Sequence, residues 1–128
     1  MFHYTVQTDK SIDEAISALE TNLKEEKFGV LWALDLTDKL QEKGIENFKQ
    51  PYRILEVCNP EAAARVLGVN ELVGYFLPCK ITVYEKEGVT NIGMPKPTVM
   101  MEMIEDSKLK EIAVEIEETL IKVLDKSI

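Results

Sequence analysis

This 128-residue chain has only two cysteines and a single histidine. That scarcity excludes a disulfide framework, since one pairing is all the cysteines allow. It also excludes a structural zinc site built from cysteine and histidine of one chain, because such a site needs a full tetrahedral set. There is no serine, histidine and carboxylate grouping, no phosphate-cradling glycine loop and no HExxH, so the familiar catalytic motifs are missing. Basic residues are the minority, 15 against 23 acidic, for a net charge of −8. A surface of that sign repels phosphate backbones and argues against nucleic acid as a partner; its plain use is to keep the protein in solution. No apolar run approaches the roughly 20 residues that cross a bilayer. Phe2 to Thr8 lacks the basic region and long apolar core of a signal peptide. The expectation is a cytoplasmic protein with no membrane partner, in a compartment where thiols stay reduced.

What is present reads as one domain over residues 1–128. No linker, repeat or low-complexity segment divides it, and a chain of this size buries roughly two-thirds of its unfolded surface. Phe2, Tyr4 and Val6 alternate with His3, Thr5 and Gln7, the pattern of a half-buried strand. Ser11-Ile12-Asp13-Glu14 is a capping box. Ile12, Ile16, Leu19 and Leu23 continue it as a helix to about Lys27. Phe28 to Leu36 is an apolar strand with Phe28, Val30, Trp32, Leu34 and Leu36 on one face. Thr37-Asp38 caps a short helix that stops near Gly44. Tyr52 to Cys58 is a strand, and Asn59-Pro60 starts a helix that ends at Gly68. Cys79 to Glu85 and Val89 to Met94 form a hairpin through Lys86-Glu87-Gly88. Met94-Pro95-Lys96-Pro97 interrupts the pattern. Asp106 or Ser107 then caps the clearest helix, with Leu109, Ile112, Ala113, Ile116, Leu120, Val123 and Leu124 on one side. The expected architecture is α+β: a mainly antiparallel sheet with two long helices packed on one face. Trp32 and its face-mates are expected to meet the helix stripes.

The two cysteines sit in short motifs, Cys58-Asn59-Pro60 and Leu77-Pro78-Cys79, each where an apolar run meets proline. Cys58 precedes a helix N-cap, where unpaired amides favour thiolate, the nucleophilic and metal-binding form. Asn59 brings both a donor and an acceptor. Cys79 opens the next strand. If the two strands pair antiparallel, the sulfurs meet at one end of the sheet, where they could hold a small ligand near Cys58, Asn59 and Cys79. They could also bind a metal such as zinc, form a reversible disulfide, or fill space as small hydrophobes. A zinc site at Cys58 and Cys79 needs completion by a carboxylate such as Asp35 or Glu56, or by a second subunit. The redox alternative makes Cys58 the attacking thiol and Cys79 the resolving one, at a spacing unlike Cys-x-x-Cys. Met94, Met100, Met101 and Met103 suit Cu(I) in principle, and core gaps or interfaces more simply. Lys39, Arg53, Arg65 and Lys80 are cations scattered along the chain, read as solvated surface.

Three segments resemble a known family. They are Phe28-Gly29-Val30-Leu31 with a following acidic position, Tyr52-Arg53-Ile54-Leu55 leading into Cys58-Asn59-Pro60, and Leu77-Pro78-Cys79 with the strand ending Val83-Tyr84-Glu85. In that order they are similar to the prokaryotic domain of unknown function 302 family over nearly the whole chain. The resemblance implies a fold related to the TATA-binding-protein-like, helix-grip architecture, and a homodimer. It implies no activity. Cys58, Asn59, Pro60, Pro78 and Cys79 match the family motif; the stretch from Val99 to Met103 follows it only loosely. The DNA-binding role of the fold's namesake does not transfer, since a fold does not determine a function.

Overall fold

The computed structural model describes residues 1–128. Five strands form a single sheet, β1 (His3–Thr8), β2 (Gly29–Asp35), β3 (Tyr52–Cys58), β4 (Cys79–Lys86) and β5 (Val89–Pro95), in the order β1-β5-β4-β3-β2. Every neighbouring pair is antiparallel. Five helices complete the fold: α1 (Ile12–Glu25), α2 (Leu36–Glu42), α3 (Pro60–Val69), α4 (Pro97–Glu102) and α5 (Ser107–Lys126). The fold is α+β.

Local chemistry sets most boundaries. The capping box of α1 forms as expected, with Ser11 Oγ accepting from Glu14 N at 3.2 Å and Ser11 N donating to Glu14 Oε1 at 3.1 Å. Asp106 caps α5 by accepting from Lys108 N. Glu87 and Gly88 both have positive φ, +53° and +79°, which is what a two-residue hairpin loop between β4 and β5 requires. Some boundaries differ from expectation. Asp35, rather than Thr37 or Asp38, caps α2 by accepting from Asp38 N. Gly68 does not end α3, which runs on to Val69 and is capped by Asn70. The methionine-rich stretch coils into α4 behind Pro97, which sits at the first helical position where its missing N–H costs nothing.

The core lies between one sheet face and the helices. Leu55 and Val57 of β3, Ile81 and Val83 of β4 and Ile92 of β5 are buried with Leu19 and Leu23 of α1, Val66 of α3 and the stripe of α5. The C-terminal end of α5 is tied down by Ser127. Its hydroxyl donates to Val123 O and accepts from Asn22 Nδ2 of α1.

Trp32 does not meet the helices; it is 51% exposed. A bulge between Val30 and Trp32 is responsible. Val30 pairs with Val57, but Trp32 pairs with Glu56 and Ala33 with Leu55, so Leu31 is an extra residue in the ladder. One inserted residue reverses which side chains face the core. Val30 packs against the core, while Trp32 and Leu34 move to the opposite face of the sheet, opposite Glu56 and Ile54. Asp35 thereby turns to the helix side, where it pairs with Arg53 at 3.2 Å.

Candidate functional site

The two cysteine motifs come together at one end of the sheet. Cys58 is the last residue of β3, and Cys79, the first of β4, pairs with Val57 beside it. Both thiols are free, Cys58 half-buried and Cys79 buried. Asn59 is the N-cap of α3, its Oδ1 accepting from Ala62 N at 3.1 Å. Its side-chain oxygen is therefore committed to the helix. The thiols border a cavity of about 10 Å³ walled by Phe28, Val66, Leu77 and Ile116, with Asn59 the one polar residue in the lining. A single water needs roughly 10–15 Å³, so this space is too small for an organic ligand. Burial pushes the Cys79 thiol up to about 11, and the neighbouring Cys58 adds to the shift by opposing a second negative charge.

The residues named as completing a metal set do not converge here. Asp35 lies at the far end of β2, where it pairs with Arg53, while Gly29 at the near end pairs with Cys58. Glu56 is on the sheet face away from the helices. His3 is on β1 at the opposite edge of the sheet. No group of three or more His, Cys, Asp or Glu side chains is placed to hold a metal ion. Met94 and Met101 are buried in the core, whereas Met103 is 72% exposed.

A second region emerges only from the tertiary structure. The sheet face away from the helices is uncovered. An open groove of about 460 Å³ runs across it, lined by Phe2, His3, Tyr52, Lys80, Thr82 and Tyr84, with Gly93 and Pro95 in its floor. Tyr52 and Tyr84 are cross-strand partners whose rings stack at 5.1 Å with an interplanar angle of 11°. His3 Nδ1 lies 2.9 Å from Thr5 Oγ1. Gly93 has Thr5 as its partner, and a Cβ there would stand 2.9 Å from Thr5 Oγ1, so glycine is the residue that fits the floor. A second cleft of about 240 Å³ continues from Lys80 and Pro95 towards Glu56, Tyr75 and Pro78.

Aromatic residues mark this face. Phe28 is the only aromatic residue buried in the molecule. Tyr4 packs against the margin of the core, and Phe2, Trp32, Tyr52 and Tyr84 are on the open face. The four scattered cations also separate here. Lys39 pairs with Glu42, Arg53 with Asp13 and Asp35, and Arg65 with Glu115, while Lys80 has no ion pair and points into the groove. Sequence reasoning missed the groove because its residues come from four strands. The available signal was the alternation of Tyr52, Ile54 and Glu56 against Arg53, Leu55 and Val57.

The family pattern described as "Domain of unknown function DUF302" matches residues 4–127. The chain belongs to this family. A crystal structure of an uncharacterized conserved DUF302 protein from Bacillus stearothermophilus shares 56% sequence identity with it. The two superpose with a TM-score of 0.97 over 100% of this chain and 99% of that one. No curated protein matches the chain. DUF302 membership therefore leaves function to be argued from the site. No helix of this DUF302 chain is long and apolar enough to cross a membrane.

Proposed function

We propose that this DUF302 protein is a binding module that works as a cytoplasmic homodimer and takes a small ligand on its open sheet face, rather than inside the thiol cavity. The observation that carries this reading is the uncovered groove of about 460 Å³ with its aromatic walls. Small-molecule sites are concave, largely apolar and supplied with a few polar groups, in the range of roughly 300–1,000 Å³. The TATA-binding-protein-like, helix-grip architecture belongs to the same reading, because helices confined to one side of a sheet leave the other side to bind. The dimer is supported by β2, an edge strand with Leu31 62% and Trp32 51% exposed. A free apolar edge is a template for a strand from a second copy. Pairing there leaves the groove open.

Titrating ¹⁵N-labelled protein with a panel of small aromatic compounds tests the ligand surface. Amide shifts clustered at Tyr52, Thr82, Tyr84 and Gly93 are expected. Shifts confined to Cys58, Ala62 and Val66 would return the site to the thiols.

A second reading keeps the cysteines, and the adjacency of two free thiols at one cavity favours it. The Cys58 thiolate attacks a low-molecular-weight disulfide, forming a mixed disulfide and releasing one small thiolate. Cys79 then displaces the second half, leaving a Cys58–Cys79 disulfide. That second step needs a Cys79 thiolate, which burial disfavours. Mass spectrometry after treatment with oxidised glutathione separates the cases. An intramolecular disulfide supports the redox pair, and a persistent mixed disulfide on Cys58 counts against it. Zinc held by Cys58 and Cys79 belongs to this second reading too, with the remaining ligands drawn from a partner subunit.

A further inference from the structure

We propose that the open-face groove selects small planar aromatic carboxylates, an inference that rests on the binding surface proposed above. The walls argue for a flat ring. Tyr52 and Tyr84 stack in parallel beside the groove, and Phe2, 65% exposed, borders its other end. Flat aromatic surfaces hold aromatic ligands by offset or edge contacts that add to apolar burial. The charge argues for an anion. In a chain of net charge −8, the groove is lined by Lys80 and His3 and by no carboxylate. Lys80 has no ion pair, so its ammonium keeps its full donor capacity for a ligand. The Thr82 hydroxyl stands beside it as a neutral donor.

A flanking acid weakens the anion's gain. Glu56 is the cross-strand partner of Lys80 and lines the adjoining cleft. Its charge opposes any anion held by Lys80, so removing that charge strengthens carboxylate binding. The site therefore selects by charge sign as well as by shape.

The test uses the full-length ¹⁵N-labelled protein with two probes of one shape, 1-naphthoate and its neutral isostere 1-naphthamide. Naphthoate is expected to shift the amides of Lys80, Thr82 and Gly93, and to bind about tenfold more tightly than the amide, the effect of one charge-assisted hydrogen bond. Lys80→Met keeps the aliphatic stem and is expected to abolish that preference; Glu56→Gln is expected to strengthen naphthoate binding. Equal affinity for the two probes, or a preference that survives Lys80→Met, overturns the carboxylate assignment while leaving the groove as a binding surface. If neither probe shifts open-face amides, the binding surface itself falls. Should those amides instead shift with protein concentration alone, the face belongs to a second copy of the chain, and both proposals fail.

Discussion

At the scale of single residues, the two thiols differ in environment although they share one cavity. Cys58 is partly accessible at the end of β3, directly before the N-cap of α3. Cys79 is 9% exposed and its thiol is pushed up to about 11, chiefly by burial. Alkylation at neutral pH should therefore label Cys58 first. Comparing rates in Cys58→Ser and Cys79→Ser checks this, and faster labelling of Cys79 in the folded protein would show the assignment to be reversed. Cys79 also links stability to pH. Its folded pKa lies above the ordinary value of 9.0, so the folded state holds this proton in a window where the unfolded chain releases it. The contribution is fully present below pH 9 and is lost as pH rises towards 11. A two-unit shift corresponds to about 2–3 kcal/mol. Urea midpoints at several pH values should fall across that window in the natural sequence and fall less in Cys79→Val, which has no proton to lose.

At the scale of elements, two contacts hold the thiol end of the sheet. Asn59 caps α3 through Ala62 N. Asn59→Ala should cost about 1 kcal/mol, the usual effect of losing an N-cap, measurable by chemical denaturation. Ile116 is 7% exposed on α5 and borders the same cavity. Ile116→Asp buries a charge without a partner, so it should destabilise the subunit by more than about 3 kcal/mol and unfold it rather than merely dissociate a dimer. A folded monomer carrying that substitution would place the α5 stripe in an interface.

At the scale of the whole molecule, the sheet has helices on one face and none on the other, and β2 is free at its edge. The proposed dimer uses that edge. Sedimentation equilibrium should give a dimer at micromolar concentration, and Leu31→Lys, a charge on an exposed edge strand, should give a folded monomer. Trp32 is the only tryptophan, so its emission reports the same event. It should shift to the blue as concentration rises through the dimerisation range, and Leu31→Lys should remove the shift. A dimer unaffected by Leu31→Lys, with Trp32 emission independent of concentration, would place the interface elsewhere.

The sequence by itself determined what depends on near neighbours. The capping box at Ser11, the Asn59-Pro60 helix start, the Glu87-Gly88 turn and the stripe from Leu109 to Leu124 each use contacts a few residues apart. The meeting of Cys58 with Cys79 was also legible, because antiparallel pairing brings the end of β3 to the start of β4. Three things were decided by the tertiary structure alone. The bulge at Leu31 turned Trp32 outward, since ladder register depends on the partner strand and not on the alternation within β2. The thiol cavity closed to about 10 Å³ because Phe28, Val66 and Ile116 arrive there from three other parts of the chain. The aromatic groove exists because His3, Tyr52, Lys80, Tyr84 and Gly93, drawn from four strands, share a face that no helix covers. Periodicity states that such residues share a face of their own strand; only packing decides which face the helices bury and which is left to bind.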